Sequence, residues 1–193
     1  MDKVKVKKAE PKDIDEMISL VINSFIMTFG HLYNKTDLKK YTDENFNHHK
    51  FNSWINDINY NVIIAELIDT NKIVGFCVAG QFNYNNLITD TNCVSITIHF
   101  DDVEQYHNMN IISGEIMKMY VDKSVYGSGI ASELIKENIK FLNNKYDDIY
   151  VVAYSENYRA IKFYEKHGFR IIGNYIYNDC TKTKEYIMIK NIR

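Results

Sequence analysis

Two short stretches hold the residues best suited to chemistry. The first is Tyr126-Gly127-Ser128-Gly129-Ile130-Ala131-Ser132, which follows a β-rich run and opens an apolar stretch at helical spacing. Two glycines and an alanine let a backbone approach a ligand closely. The first N–H groups of a helix have no partner within it, and the helix dipole favours anions there. A phosphate or pyrophosphate is the natural guest. A plain strand-to-helix turn with no ligand accounts for the same residues equally well. Two other phosphate motifs fail on detail. A dinucleotide fingerprint needs a third spaced small residue and an acid at the end of the next strand. Asp147 and Asp148 lie near that distance but precede the next expected strand. A P-loop needs Gly-Lys-Ser/Thr, which is absent.

The second stretch is Asn157-Tyr158-Arg159-Ala160-Ile161-Lys162-Phe163-Tyr164-Glu165-Lys166-His167-Gly168-Phe169. Read locally, Asn157 is a helix N-cap, Gly168 a C-terminal stop, and Tyr164 a core aromatic or a positioned phenol. Taken whole, it resembles the N-x-x-A-x-x-F-Y-x-x-x-G-F signature of the GNAT superfamily of acyl-CoA N-acyltransferases. The glycine turn resembles that family's Q/R-x-x-G-x-G/A motif through Gly129 and Ala131, with Tyr126 standing where the family has Gln or Arg. The resemblance covers roughly the C-terminal half of the chain.

That resemblance implies a fold and a set of roles. The fold is α/β (α+β), a GNAT-type central mixed, mostly antiparallel sheet flanked by helices on both faces. The cosubstrate is acetyl-CoA. The backbone of Met119, Tyr120 and Val121 would pair with the pantetheine arm as an added strand does. Tyr126, Gly127, Ser128, Gly129, Ile130, Ala131 and Ser132 would surround the pyrophosphate. Asn157 would hydrogen-bond the pantetheine side. Tyr164 would protonate the departing thiolate, a task a phenol can perform, while a backbone N–H stabilises the oxyanion. Glu115 stands first in E-x-x-x-x-Y-V, where many members carry a glutamate, and would deprotonate the amine through water. The bland alternative for Glu115 is a solvated strand residue.

The acceptor is read from the N-terminal half. Ser24-Phe25-Ile26-Met27-Thr28-Phe29, then Asp37-Leu38-Lys39-Lys40-Tyr41 and Phe46, is similar to the N-terminal region of bacterial polyamine (spermidine/spermine) N-acetyltransferases, as is the ending Tyr186 to Lys190. A polycation asks for carboxylates. Asp37, Asp43, Glu44, Asp101, Asp102, Glu104 and Glu115 are available, though acidic residues most often just solvate a surface. Acetylation of a protein N-terminus, a lysine, an amino sugar or an antibiotic stays open, as does a non-catalytic acyl-CoA-binding regulator. Members of the superfamily are often dimers, so a homodimer is an expected assembly.

The elements that must position these residues follow from periodicity. Val4 and Val6 alternate as a strand. A helix follows Pro11 with Ile14, Met17, Ile18, Val21, Ile22 and Phe25 on one face, ending at Phe29–His31. A second helical stretch spans about Thr36 to Ile58, with a break near His48. Val62–Leu67 and Ile73–Ala79 form a hairpin, Gln81–Asn92 a loop, and Val94–Phe100 a strand. Asp101–Asn110 is polar and acidic, and is expected to be mobile or substrate-facing. Ile116–Val121 is a strand, Ile130–Leu142 a helix, Ile149–Ala153 a strand, Ala160–His167 a helix, and Arg170–Tyr177 and Glu185–Ile189 the closing strands.

With 193 residues, 46% hydrophobic and 25% charged, and no internal repeat or linker, the chain reads as one globular domain. A net charge of −2 argues against non-specific nucleic-acid binding. Cys77, Cys93 and Cys180 form neither a CxxC pair nor a zinc spacing and read as free thiols. His48 and His49 are adjacent, so a helix aims them apart, and no metal site is expected. No signal peptide or membrane-length apolar run is evident, and the expected setting is cytoplasmic.

Overall fold

Strand β1 (Val4–Lys8) lies antiparallel to β2 (Asn61–Leu67), and β2 to β3 (Ile73–Asn83), through a turn in which Asn71 takes a φ of 54°. In this computed structural model residues 3–83, 93–98, 112–177 and 180–192 are described, with Asn83 and the strand at 93–98 described by backbone alone. The expected hairpin is present. Its second strand runs on through Gln81–Asn83, where polarity alone predicts a loop.

The described residues form two compact units. The first comprises residues up to Gly80 together with Ile116–Phe141, the second Gln81–Glu115 and Leu142 onward. Strand β5 (Ile112–Val121) and helix α4 (Ile130–Asn143) each contribute residues to both.

In the first unit the strand order is β1-β2-β3-β5. Both faces of β2 and β3 are buried, so their apolar runs are nearly continuous rather than alternating. One face meets α1 (Ile14–Phe29) and α3 (His48–Asn56). There Ile14, Met17, Val21 and Phe25 pack with Phe51, Val62, Ile64, Phe76 and Val78. Pro11 opens a 3₁₀ turn, Pro11–Asp13, and the α-helix begins one residue later. The second helical stretch is two helices, α2 (Lys35–Asn45) and α3, broken at Phe46 and Asn47. The break has a cause: the Asn47 side chain accepts from Lys50 N at 3.1 Å and starts a new helix. The opposite face of the sheet meets α4. At Gly75 an added Cβ would stand 3.0 Å from Leu134 Cδ1, so a larger residue here would force Leu134 to shift by a few tenths of an ångström.

The second unit holds β6 (Asp148–Tyr154), β8 (Lys184–Asn191), β7 (Arg170–Tyr177) and β4 (Cys93–Ile98), adjacent in that order and antiparallel throughout. Its core includes Tyr150, Ile172, Tyr175, Ile187 and Ile189, with Phe82 stacked on Tyr150 at 4.8 Å. Helix α5 (Tyr158–Lys166) precedes β7. Gly168 stops it with a φ of +86° and an N–H donated to Glu165 O at 2.9 Å. The architecture is the mixed, mostly antiparallel α/β arrangement expected, with helices flanking the sheet.

Candidate active site

The strand leading into the glycine turn is irregular where regularity matters most. Residues on one face of a strand are an even number apart. Met117 and Tyr120 are three apart, yet both pack on the core beneath α1 and α3. Met117 Sδ lies 3.0 Å from where a Gly80 Cβ would stand, and the Tyr120 ring lies 5.7 Å from Phe76. Val121 then faces α4, its Cγ2 3.4 Å from a Gly75 Cβ position. The alternation inverts between Met117 and Tyr120, as at a β-bulge, where one extra residue locally interrupts the ladder. Apart from Lys118, Ile116–Val121 is apolar on both parities, so hydropathy gives little sign of it.

Beyond Val121 the chain is held by Asp122. Its N–H donates to Val74 O at 2.8 Å. Its carboxylate accepts from Ser124 N at 2.8 Å and Ser124 Oγ at 2.6 Å, with Lys72 Nζ at 3.5 Å. The Ser124 hydroxyl, then the Ser124 N–H, hold this carboxyl below the usual carboxylate range. Asp122 is not among the residues singled out by sequence, although Asp-x-Ser before a turn is a local capping signal. A group with a depressed pKa stabilises the fold above its ordinary range and loses that effect as pH falls. Asp122→Ala is therefore expected to cost about 1 kcal/mol near neutrality. The difference from wild type should vanish on acidification through the lowered pKa, read by urea unfolding across pH. A pH-independent difference would contradict this role.

Next comes the turn. Gly127 has a φ of +78° and Gly129 a φ of +91°, conformations that L side chains rarely adopt. A Cβ added at either would meet nothing within 4 Å among the described residues, so there the glycines face open space. Ser128 Oγ donates to Val125 O at 2.6 Å and Ser128 N to the same oxygen at 3.2 Å, which pins the loop from inside. Among the described residues no acceptor takes the N–H of Gly127 or Gly129. Ile130 N reaches Ser128 Oγ only at 3.4 Å. The helical ladder starts at Glu133 N, which donates to Gly129 O at 3.1 Å. The N–H groups of Ile130 and Ala131 precede that bond and point out of the helix end. Successive amides in such turns form an anion-binding concavity. The chemistry of this donor set suits a pyrophosphate, and the empty volume before the glycines gives it room.

Asn157, Tyr164 and Glu115 lie in the second unit. Asn157 caps α5, its Oδ1 accepting from Ala160 N at 3.2 Å. No acceptor for its Nδ2 is present among the described residues, so capping leaves a donor available. Tyr164 is 8% exposed, with its ring edge-on to Phe163 at 5.5 Å and to Phe169 at 5.7 Å. Glu115 is half-buried on β5, which begins at Ile112, earlier than expected.

Two acceptor-side carboxylates are already engaged. Asp37 Oδ2 accepts from Asn34 Nδ2 at 2.6 Å, while Asn34 Oδ1 accepts from Asp37 N at 2.9 Å, a reciprocal cap on α2. Asp43 is paired with Lys39 at 2.6 Å. Asp101, Asp102 and Glu104 lie outside the described residues. The N-terminal aromatic spacing resolves into one cluster: Phe25 stacks on Tyr41 at 4.8 Å and meets Phe29 at 4.8 Å and Phe46 at 5.3 Å. Phe46 continues to Tyr120 of β5 at 6.2 Å. Those positions thus build the core joining the first helices to the strand before the glycine turn.

The acetyltransferase (GNAT) domain profile matches residues 59–171. Among solved structures, the chain is similar to PaiA N-acetyltransferase from Thermoplasma acidophilum in complex with coenzyme A, at 15% identity and a TM-score of 0.69 over 98% of this chain and 99% of that one. It is similar to NAA60 from Arabidopsis thaliana in complex with a bisubstrate analogue, at 14% identity and a TM-score of 0.68 over 99% of this chain and 100% of that one. It is also similar to the ribosomal-protein-S18-alanine N-acetyltransferase from Escherichia coli, at 13% identity and a TM-score of 0.62 over 98% of this chain and 94% of that one. Identities this low bear on the fold alone. Among the described residues no helix is long and apolar enough to cross a membrane. Because the profile spans more than half of the chain and takes in both the glycine turn and Tyr164, the chain belongs to the acetyltransferase (GNAT) family of acetyl-CoA-dependent N-acetyltransferases.

Proposed function

We propose that this protein transfers the acetyl group of acetyl-CoA to a primary amine by direct attack in a ternary complex, and that the acceptor is a polyamine such as spermidine or spermine. The observation that carries the transfer is the glycine turn: two positive-φ glycines before open space, leading into a helix whose first amides precede its ladder. Acetyl-CoA supplies an activated thioester; the chain supplies the positioning and the proton transfers. The amides of Gly127, Gly129, Ile130, Ala131 and Ser132 hold the pyrophosphate, with Tyr126 and Ser128 flanking it. The backbone of Met119, Tyr120 and Val121, next to the irregularity in β5, binds the pantetheine arm. Asn157 offers Nδ2 to the same arm.

Glu115 accepts, through water, the proton that leaves the attacking nitrogen. As the C–N bond forms and the C–S bond breaks, Tyr164 gives its phenolic proton to the sulfur, and solvent later restores it. The whole chain is proposed to work as one acetyltransferase domain.

The polyamine acceptor rests on the N-terminal resemblance, with Asp37 and Glu115 as the proposed cation-facing carboxylates. Asp37 would serve in addition to its cap. A protein N-terminus is the competing acceptor, favoured by the likeness to the S18-alanine N-acetyltransferase and to a NatC complex bound to a Gag peptide. Thiol release from acetyl-CoA, run with spermidine, spermine and short diamines beside an N-terminal peptide, a lysine peptide and an amino sugar, separates the two. Fast turnover with polyamines alone is the expected result. Turnover confined to peptides would replace the polyamine assignment while leaving the transfer chemistry in place.

A further inference from the structure

Two turns beyond the end of α4 proposed to hold pyrophosphate, a buried polar joint fastens the helix to the sheet. Asn138 is fully buried and Asn61 is 5% exposed. Asn61 Nδ2 donates to Asn138 Oδ1 at 2.9 Å. Asn138 Nδ2 donates to Cys77 O of β3 at 3.2 Å and to Leu134 O of its own helix at 3.4 Å. One amide thus ties α4 to β2 and β3 together. One turn earlier, Leu134 sits over Gly75, as near to the sheet as glycine permits. One turn earlier again is Ile130, 5% exposed, the first helical residue of the turn. Ile130, Leu134 and Asn138 are four apart and so form one stripe along the sheet-facing side.

Apolar packing does not require this joint. Burying amides costs free energy that hydrogen bonds only just recover, and leucines at both positions would fill the volume without that cost. What hydrogen bonds add is geometry: they fix the helix along its axis, where apolar side chains tolerate sliding. The Cys77 thiol is not a competing explanation. It is fully buried and pushed up to about 12 by desolvation, with the Asn138 side chain pulling the other way, so the sulfur is held as an unreactive thiol beside the joint.

We propose that Asn138, with Asn61, is a positioning residue for the cosubstrate: it sets where the first amides of α4 stand relative to Tyr120 and Val121, and so sets pyrophosphate affinity. This rests on the assignment of the pyrophosphate to the end of α4.

The test compares wild type, Asn138→Leu, Asn138→Gln and the Asn61→Leu/Asn138→Leu double variant. Urea midpoints are measured alongside kcat and KM for acetyl-CoA and for S-acetylpantetheine, which lacks the pyrophosphate. Asn138→Leu strands Asn61 and should lose stability. The double variant removes both polar groups and should regain most of the midpoint, yet keep an acetyl-CoA KM raised roughly tenfold by the misplaced amides. Its kcat and its use of S-acetylpantetheine should match wild type. Asn138→Gln keeps the amide but adds a methylene, and should raise the acetyl-CoA KM while still folded. A double variant with restored stability and a wild-type acetyl-CoA KM would overturn the proposal, as would folded Asn138→Gln with a wild-type KM. If wild type itself handled both thioesters equally well, the pyrophosphate assignment beneath the proposal would fall first.

Discussion

Replacing Tyr164 with Phe is expected to lower kcat by roughly 10²- to 10⁴-fold, the range that general acid catalysis supplies. Binding of acetyl-CoA should stay near its wild-type value. The substitution isolates one atom. The Tyr164 ring is 8% exposed and wedged against Phe163 and Phe169, and phenylalanine fills the same ring volume. What is lost, on the proposed mechanism, is the proton that the departing sulfur takes. The effect should also depend on the leaving group: a thioester whose thiol has a lower pKa needs less help and should narrow the gap between variant and wild type. Wild-type turnover in Tyr164→Phe would remove the acid from this residue and leave α5 a purely structural helix.

The second large effect is expected at Gly129. Gly129→Val places a branched side chain at a φ of +91°, where each L residue pays roughly 1–2 kcal/mol. It also fills space that the described residues leave open, since a Cβ there meets none of them within 4 Å. These two facts separate stability from binding. No neighbour is displaced, so the loss of stability should stay near the backbone strain alone. The affinity for acetyl-CoA should fall by on the order of 10²-fold, as expected when groups facing a ligand are displaced by about an ångström. Isothermal titration beside thermal unfolding reads both. A variant that binds acetyl-CoA as wild type does would show that the turn holds no ligand, the ordinary-turn alternative that the residues alone leave open.

The parts of the site that local rules govern are legible in the sequence. Gly127 and Gly129 stand at positive φ, which few other residues tolerate. Asn157 caps α5 and Gly168 stops it, each through bonds that reach no further than three residues. The parts that depend on distant partners are not legible. Asn61 and Asn138 meet across 77 residues, and nothing near either announces the other. The inversion between Met117 and Tyr120 hides in a run that is apolar on both parities apart from Lys118, where Met117 to Val121 are all half-buried. Gln81–Asn83 extends β3 despite its polarity, since ladder hydrogen bonds follow the neighbouring strand rather than side-chain hydropathy. The expected likeness of the first helices to polyamine acetyltransferases rests on their aromatic spacing alone. Packing through Phe25, Phe29, Tyr41 and Phe46 accounts for that spacing. Asp37 shows the same shift of meaning: an acid suited to a cation is first of all half of a cap with Asn34.

The most direct test of the account is the steady-state ratio of kcat/KM for acetyl-CoA to that for S-acetylpantetheine, measured by thiol release with wild-type protein and one accepted amine. The two thioesters carry the same reacting bond and differ in the pyrophosphate and nucleotide. If the amides from Gly127 to Ser132 grip the pyrophosphate, the ratio should be large, on the order of 10² or more, and should collapse in Gly129→Val. A ratio near one in wild type, or a large ratio untouched by Gly129→Val, would contradict the central claim that this turn holds the cosubstrate.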